Sequence, residues 1–503
     1  MRGRNRVTKT FVVAVAAIIA AVGVGTPTLS ATRDSVRLGM TLEPPVLDPT
    51  ASPAAAIKEI VTNNLMEGLT RVSADGSVKP ALAESWTVSE DGKTYTFKLR
   101  RGVKFHDGSP FSSADVVYSI SRAMSPEGGN PGRNLYRAID KVTAPAPDIA
   151  VFTLKNPFFT LPYVLALGDS SIVSEKTVPT NKTNPVGTGP FKFSRWVKGD
   201  RVELVKNQDF RDKDKIRLNR ATFRFIPDPN AIVNALLAGD LDAFPLGVPT
   251  ESVERFKKDK RFKVSVGMTE GETIVSINNG KKPFDDVRVR RALSHAVDRR
   301  AVIDGVMSGY GVPIGSHFSP LHPAYVDLTG LYPHDPAKAK TLLAEAGYPN
   351  GFALTLRLPP PQYARKGGEI IAQQLERVGI QAKLEPLEWA QWLDQVLSRK
   401  DYELTIISHV EALDYDRYGR ENYYWNYANN KRIAELVVSA DQAGSTAQRN
   451  AVLQDIQKQL ALDAVNVFLF QLPKIGVWNA NLVGLWENSP SPSNDLTDVH
   501  WTK

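Results

Sequence analysis

Hydrophobic and polar positions alternate in strand-like fashion through the first part of the chain. Thr94 to Leu99 places Tyr95, Phe97 and Leu99 on one face, and Ser89-Glu90-Asp91-Gly92 turns the chain back from Trp86. Further strands are predicted at Asp34 to Met40, Ala150 to Leu154, Phe191 to Arg195, Arg201 to Lys206 and Ala221 to Ile226. A helix is predicted over Ala54 to Met66, with Ile57, Ile60, Val61 and Leu65 on one face. Another is capped by Asn230 and stopped by Gly239. From about residue 272 the rhythm changes to longer α/β alternation. Thr273 to Asn278 reads as a strand. Asp286 and Asp298 each cap a helix, and Asp335-Pro336 opens a third that Gly347 ends. Strands and helices then alternate through Phe352 to Arg357, Ile370 to Val378, Gln381 to Leu384, Glu388 to Leu397 and Glu403 to Ser408. Ala447 to Leu462 is a long helix, Val465 to Gln471 a buried strand, and Asn481 to Lys503 a short tail.

Residues 1–31 have a different grammar. Arg2, Arg4, Arg6 and Lys9 precede an apolar run from Phe11 to Val24, which Gly25 and Pro27 end. The run is shorter than the ~20 residues of a membrane span and has the form of a secretory signal peptide. Cleavage is expected near Thr32. The chain of 503 residues carries a formal charge of +8. Without those four basic residues the remainder carries +4, which supports no nucleic-acid partner. Cysteine is absent. That excludes disulfides, thiolate metal sites, a cysteine nucleophile and a lipid-bearing N-terminal cysteine. A free periplasmic protein without a lipid anchor is expected.

Enzyme signatures are missing from the sequence. There is no G-x-S-x-G elbow, no S-x-x-K, no H-E-x-x-H and no P-loop. Gly187-Thr188-Gly189-Pro190 reads as a turn into the strand at Phe191. His317 and His322 read as ordinary loop histidines rather than a zinc pair. No catalytic residue, metal ligand or cofactor is expected. One region combines acids and aromatics after a strand. It runs through Ser408, His409, Glu411, Asp414, Tyr415, Asp416, Arg417 and Tyr418 to Tyr423-Tyr424-Trp425, with Trp389 and Trp392 in the helix before it. Loops at the C-terminal edge of α/β strands form ligand crevices. Aromatics there supply walls, and carboxylates supply acceptors for an ammonium group.

An ordered series of segments resembles the extracytoplasmic peptide-binding proteins of ABC importers, the dipeptide, oligopeptide and nickel-binding group. The series is Glu43-Pro44-Pro45-Val46-Leu47-Asp48-Pro49, Asn64 to Leu69, Pro80 to Trp86, Phe97 to Gly108, Phe111 to Ser119, Asn184 to Phe191 and Asp286 to Leu293. The resemblance implies an α/β, two-lobed periplasmic-binding-protein fold with two hinge crossings, near Glu272 and Val483, and an extra subdomain inserted in lobe I. Lobe I would comprise 32–72, 186–272 and 481–503, the insertion 73–185, and lobe II 273–480. The implied function is capture of a small peptide or amine-bearing solute for delivery to an ABC permease, by a monomer and without catalysis. An opine, an oligosaccharide or a chelated metal is the alternative ligand, and a secreted hydrolase the rival activity.

The same resemblance carries over site residues in part. Asp414-Tyr415 matches a pair whose carboxylate meets a peptide amine, with Glu411 and Asp416 as rivals for that role. Trp389 matches a cleft-lining tryptophan, and His409 stands where relatives carry an aromatic. Ala51 and Ser52 lie in the lobe I loop that touches ligand. Arg417 and Arg420 are the candidates to hold a ligand carboxylate, because Val396 and Ile406 occupy the positions where longer-peptide binders carry arginine. With Asp414 on the cleft wall, its removal is expected to leave folding almost unchanged.

Overall fold

In the computed structural model the described residues are 33–410, 413–420 and 423–502. The predicted signal segment and Glu411 lie outside them. The main element is a sheet ordered, by first residue, 381-353-404-262-467-243-35-220-201-191. Its centre is the antiparallel pair Phe262–Ile277 and Val467–Asn479, which stay paired from Phe262–Asn479 to Val275–Val467. To one side, Ser35–Met40 runs parallel to Arg220–Phe225. To the other, Leu404–His409 pairs with the Glu272–Ile277 half of the long strand. Each side has its own core. We call the side with Val36, Leu38, Ile57 and Phe223 lobe I, and the side with Val289, Leu356, Leu375 and Ile406 lobe II.

A separate four-stranded antiparallel sheet, in the order Ala83–Val88, Thr94–Leu99, Ile149–Leu154, Ile139–Ala146, has a third core around Phe97, Phe105 and Phe152. The alternation in Thr94–Leu99 is realised as expected, with Tyr95, Phe97 and Leu99 buried.

Local signals held where the chain decides alone. Asp286, Asp298 and Asp335 each accept a backbone N–H at the start of their helices. Gly187 and Gly189 press against backbone, where an added Cβ would fall 2.1 Å from the Leu65 carbonyl oxygen and 2.4 Å from that of Asn64. Only glycine permits that approach. Four expectations change. Asp228, not Asn230, caps Pro229–Ala238, since its carboxylate accepts from the Ala231 N–H at 2.7 Å and Pro229 takes the first helical position. The first helix is only Ala55–Val61, because Asn63 turns left-handed (φ 64°) and Thr62 bridges Met66. The strand expected at Val465 to Gln471 extends to Asn479. Near Val483 the chain makes a two-residue pairing, Leu482–Val483 with His500–Trp501, instead of joining the large sheet. The two longest strands, Phe262–Ile277 and Val467–Asn479, run side by side at the centre of the large sheet, between the two cores.

Candidate functional site

The site lies where the end of Leu404–His409 faces lobe I and the insertion. After His409 the chain turns through Leu413, held left-handed at φ 66°, into a short helical turn, Asp414–Gly419. This turn presents acids and arginines at alternating depth. Asp414, Asp416, Arg417 and Arg420 line a cavity of about 70 Å³. Pro53, Lys58 and Asp169 line it from the opposite side. The Lys58 ammonium donates to the Asp169 carboxylate at 2.7 Å, and both side chains are buried.

The acids of the turn are already engaged. Asp414 is 4 % exposed. Its Oδ2 accepts from His409 Nδ1 at 2.9 Å and its Oδ1 pairs with Arg417 Nη2 at 2.9 Å. Arg417 also donates to the Tyr423 hydroxyl at 2.8 Å. Asp416 accepts from Arg420 at 2.7 and 2.8 Å, and from Arg137 of the insertion at 3.1 Å. Arg137 further binds Asp441. The cavity is thus spanned by an ion-pair chain that joins the insertion to lobe II.

Behind the turn lies a buried polar layer. His409 Nε2 sits 2.9 Å from the Tyr424 hydroxyl, and His317 Nδ1 sits 3.0 Å from that of Tyr418. Tyr418 stacks on Trp425 with ring centroids 4.1 Å apart. Burial pushes the His317 imidazole well below its ordinary pKa, with the charges of His409 and Arg417 adding to the effect. Burial likewise raises the Glu272 carboxyl far above the carboxylate range, helped by Glu270 and Asp414, and raises Glu270 to about 7.

The predicted site residues therefore divide. Asp414, Asp416 and Arg417 come together at the cavity, with His409 directly behind Asp414. Tyr415 turns away, stacking on Phe318 at 5.4 Å while its hydroxyl accepts from Arg449. Trp389 packs edge-on against Trp392, and its buried indole N–H has no acceptor among the described residues. Ala51 and Ser52 precede Pro53, which is the residue of that loop at the cavity. His317 and His322 both lie in the loop, but His317 is more than an ordinary loop histidine. His317 is buried in the layer, while His322 is half-buried against Phe318, with its pKa pushed down to about 4 by loss of solvent. Val396 and Ile406 are fully buried. Sequence reasoning missed Lys58, Arg137, Asp169 and Glu272, whose partners lie far away in the chain and leave no local pattern.

Comparison with known proteins agrees with this architecture. Residues 77–431 match the model for bacterial extracellular solute-binding proteins, family 5. The chain belongs to that family. It is 34% identical over 341 residues to the glutathione-binding protein GsiB of Salmonella choleraesuis, covering 67% of this chain and 66% of that protein. So the alignment spans just under two-thirds of this relative's length. The PBP AgaA of A. tumefaciens R10, solved with agropinic acid, superposes with a TM-score of 0.84 at 28% identity, over 93% of this chain and 98% of AgaA. The periplasmic binding protein DppA of Helicobacter pylori, solved with the peptide STSA, gives 0.83 at 26%, over 94% and 99%. The two-lobed α/β fold is that of the periplasmic binding proteins, and family 5 is a family of binding proteins rather than enzymes.

Proposed function

We propose that this protein captures a short peptide or other amine-bearing solute between its lobes and delivers it to an ABC importer. The observation that carries this is the cavity lined by charged groups from both sides, Lys58 and Asp169 opposite Asp414, Asp416, Arg417 and Arg420. Such a lining suits a small zwitterion better than a neutral sugar. Glutathione binding by GsiB and the STSA complex of DppA point to peptides. AgaA with agropinic acid supports a second reading, a non-peptide acid of the opine kind.

The lobe boundaries read from the sequence serve as the working division: 32–72, 186–272 and 481–503 for lobe I, 73–185 for the insertion, 273–480 for lobe II. Closure would pivot on the two long strands, whose register shifts between Met268 and Glu272. The ligand would meet Asp416, Arg417 and the Pro53 loop first. Asp414 would reach an amine only by sharing its pairing with His409 and Arg417. Ala51, Ser52, Trp389, Tyr415 and Glu411 remain proposed contacts, to be used as the lobes open and close. The reading includes no turnover of the ligand, a cleaved leader and an unanchored monomer in the periplasm. Among the described residues no helix is long and apolar enough to cross a membrane.

Calorimetry against reduced glutathione, the tetrapeptide STSA and agropinic acid tests the reading, with mass spectrometry of the solute that copurifies from the native host. Saturable one-to-one binding of an amine-bearing solute is expected, with the ligand recovered unchanged. A neutral sugar as the copurifying solute, or steady hydrolysis of a bound peptide, would overturn it.

A further inference from the structure

Three buried side chains behind the cavity converge from distant parts of the chain. His317 follows the short strand Val312–Pro313, His409 ends Leu404–His409, and Asp414 opens the turn after it. One ligating atom from each lies within 4.8 Å of the others. The three are 2 %, 6 % and 4 % exposed. We propose that His317, His409 and Asp414, with Glu272 as a fourth donor, form a site for one divalent transition-metal ion.

The arrangement of the outer partners supports this. Metal-bound imidazoles have their second nitrogen fixed by a hydrogen bond, which sets the ring's orientation. Here Tyr424 holds Nε2 of His409 at 2.9 Å, and Tyr418 holds Nδ1 of His317 at 3.0 Å. Tyr418 is itself fixed by the Asn466 amide, which donates at 2.9 Å. Asp414 is anchored through Oδ1 by Arg417, which turns Oδ2 toward His409. That leaves His317 Nε2, His409 Nδ1 and Asp414 Oδ2 as the inward atoms. His317 Nε2 is buried with no hydrogen-bond partner among the described residues. A fully buried polar atom without a partner is rare and calls for an explanation. Its neighbour at 4.0 Å is Glu272 Oε2. Glu272 stands directly across the ladder from His409, and its charge is close enough to Asp414 to repel it.

Two imidazoles and two carboxylates form a nitrogen–oxygen donor set for a borderline cation such as Zn²⁺, Co²⁺ or Ni²⁺. An ion at about 2.0–2.1 Å from each nitrogen needs donors roughly 3.3 Å apart. His409 and Asp414 already stand 2.9 Å apart, so the remaining donors close in by about an ångström of side-chain rotation. Binding would displace the proton shared by His409 and Asp414. Asp414 lines the cavity, so the ion has a route from the cleft.

The test uses tag-free mature protein, stripped with a chelator and titrated with Co²⁺ alone by absorption and with Zn²⁺ alone by calorimetry. One equivalent is expected, with the visible bands of nitrogen–oxygen-bound Co²⁺ and an anomalous diffraction peak between His317 and His409. His317→Ala and Glu272→Gln should each weaken binding at least tenfold. If His317→Ala fails to fold, His317→Gln replaces it, judged by its melting curve. No stoichiometric binding, an anomalous peak elsewhere, or unchanged affinity in the folded variants would overturn the proposal and leave a purely hydrogen-bonded layer.

Discussion

On the lobe I side of the cleft, the Leu47 to Ala54 loop is tied within itself and to two distant residues, Arg122 and Lys182. Asp48 accepts from the Thr50 backbone at 2.9 Å and from its hydroxyl at 2.6 Å, and Arg122 donates to that hydroxyl at 2.7 Å. Ala51 and Ser52 are left half-exposed, with little side chain to lose. On the lobe II side, the turn after His409 is fixed mostly by neighbours in sequence, with one long-range tie from Arg137. Asp414 depends on His409 and Arg417, and Asp416 on Arg420 and on Arg137 from another subdomain. Both loops reach the cavity, the first through Pro53 and the second through its buried, paired acids, so only in the second are the cavity-lining groups also structural. A carboxylate that is buried and doubly paired cannot be removed as a surface contact can.

The largest effect should come from Asp414→Ala. It leaves the buried His409 imidazole and the Arg417 guanidinium without their acceptor, a loss of about 3–5 kcal/mol by the general behaviour of broken buried pairs. Urea unfolding checks this. A midpoint close to the wild type would mean that the turn is as dispensable as the opposite loop. This corrects the sequence-based expectation that folding would hardly notice the change.

The lobe I side has a half-buried histidine of its own. His106 lies between Gly187, whose N–H donates to Nδ1 at 3.2 Å, and the Gly189 carbonyl at 3.1 Å from Nε2. Burial pushes its pKa down to about 4, so the fold holds it neutral. The unfolded chain takes up the proton first as pH falls below about 6.5, so its contribution to stability is present at neutral pH and lost towards pH 4. Compared with His106→Asn, the wild type should lose up to about 3 kcal/mol of its advantage over that interval. Thermal melts across the interval read it. A constant difference would show that proton linkage plays no part on this side.

Arg137→Ala removes the pairing of the insertion with Asp416 and Asp441. The arginine is partly exposed, so about 1 kcal/mol is expected, near fivefold in the balance between closed and open forms. Small-angle scattering should show a larger mean radius of gyration in the variant. An unchanged profile would place the hold on the lobes elsewhere. The smallest effect should be Ser52→Ala, within about 0.5 kcal/mol in stability. Its hydroxyl makes only a long 3.5 Å contact with the Ala54 N–H. A larger change would show that this loop, too, is held by its side chains.

Helix starts were legible wherever one side chain and its own backbone settle the matter, as at Asp286, Asp298 and Asp335. Reading Asn230 as a cap failed because Pro229 takes the first helical position, two residues earlier than expected. The strand Phe262–Ile277 was half visible. Its buried second half was read as Thr273 to Asn278, while the partly exposed first half, with no clean alternation of buried and exposed positions, was missed. In the site, the sequence marked the acids and aromatics of the 408–427 segment as functional. It named their near partners, His409, Arg417 and Arg420, but carried no sign of Arg137.

By itself the sequence determined the family, the α/β order of elements and the stretch of chain that lines one side of the cavity. Those properties repeat in local periodicity, in caps and in short ordered motifs. Tertiary structure alone decided that Lys58 pairs with Asp169, that Arg137 reaches Asp416 from 279 positions away, and that His317 meets His409 rather than His322. The physical reason is that ion pairs and imidazole contacts act through space at about 3–5 Å whatever the separation along the chain. Neither partner needs a pattern around it to find the other.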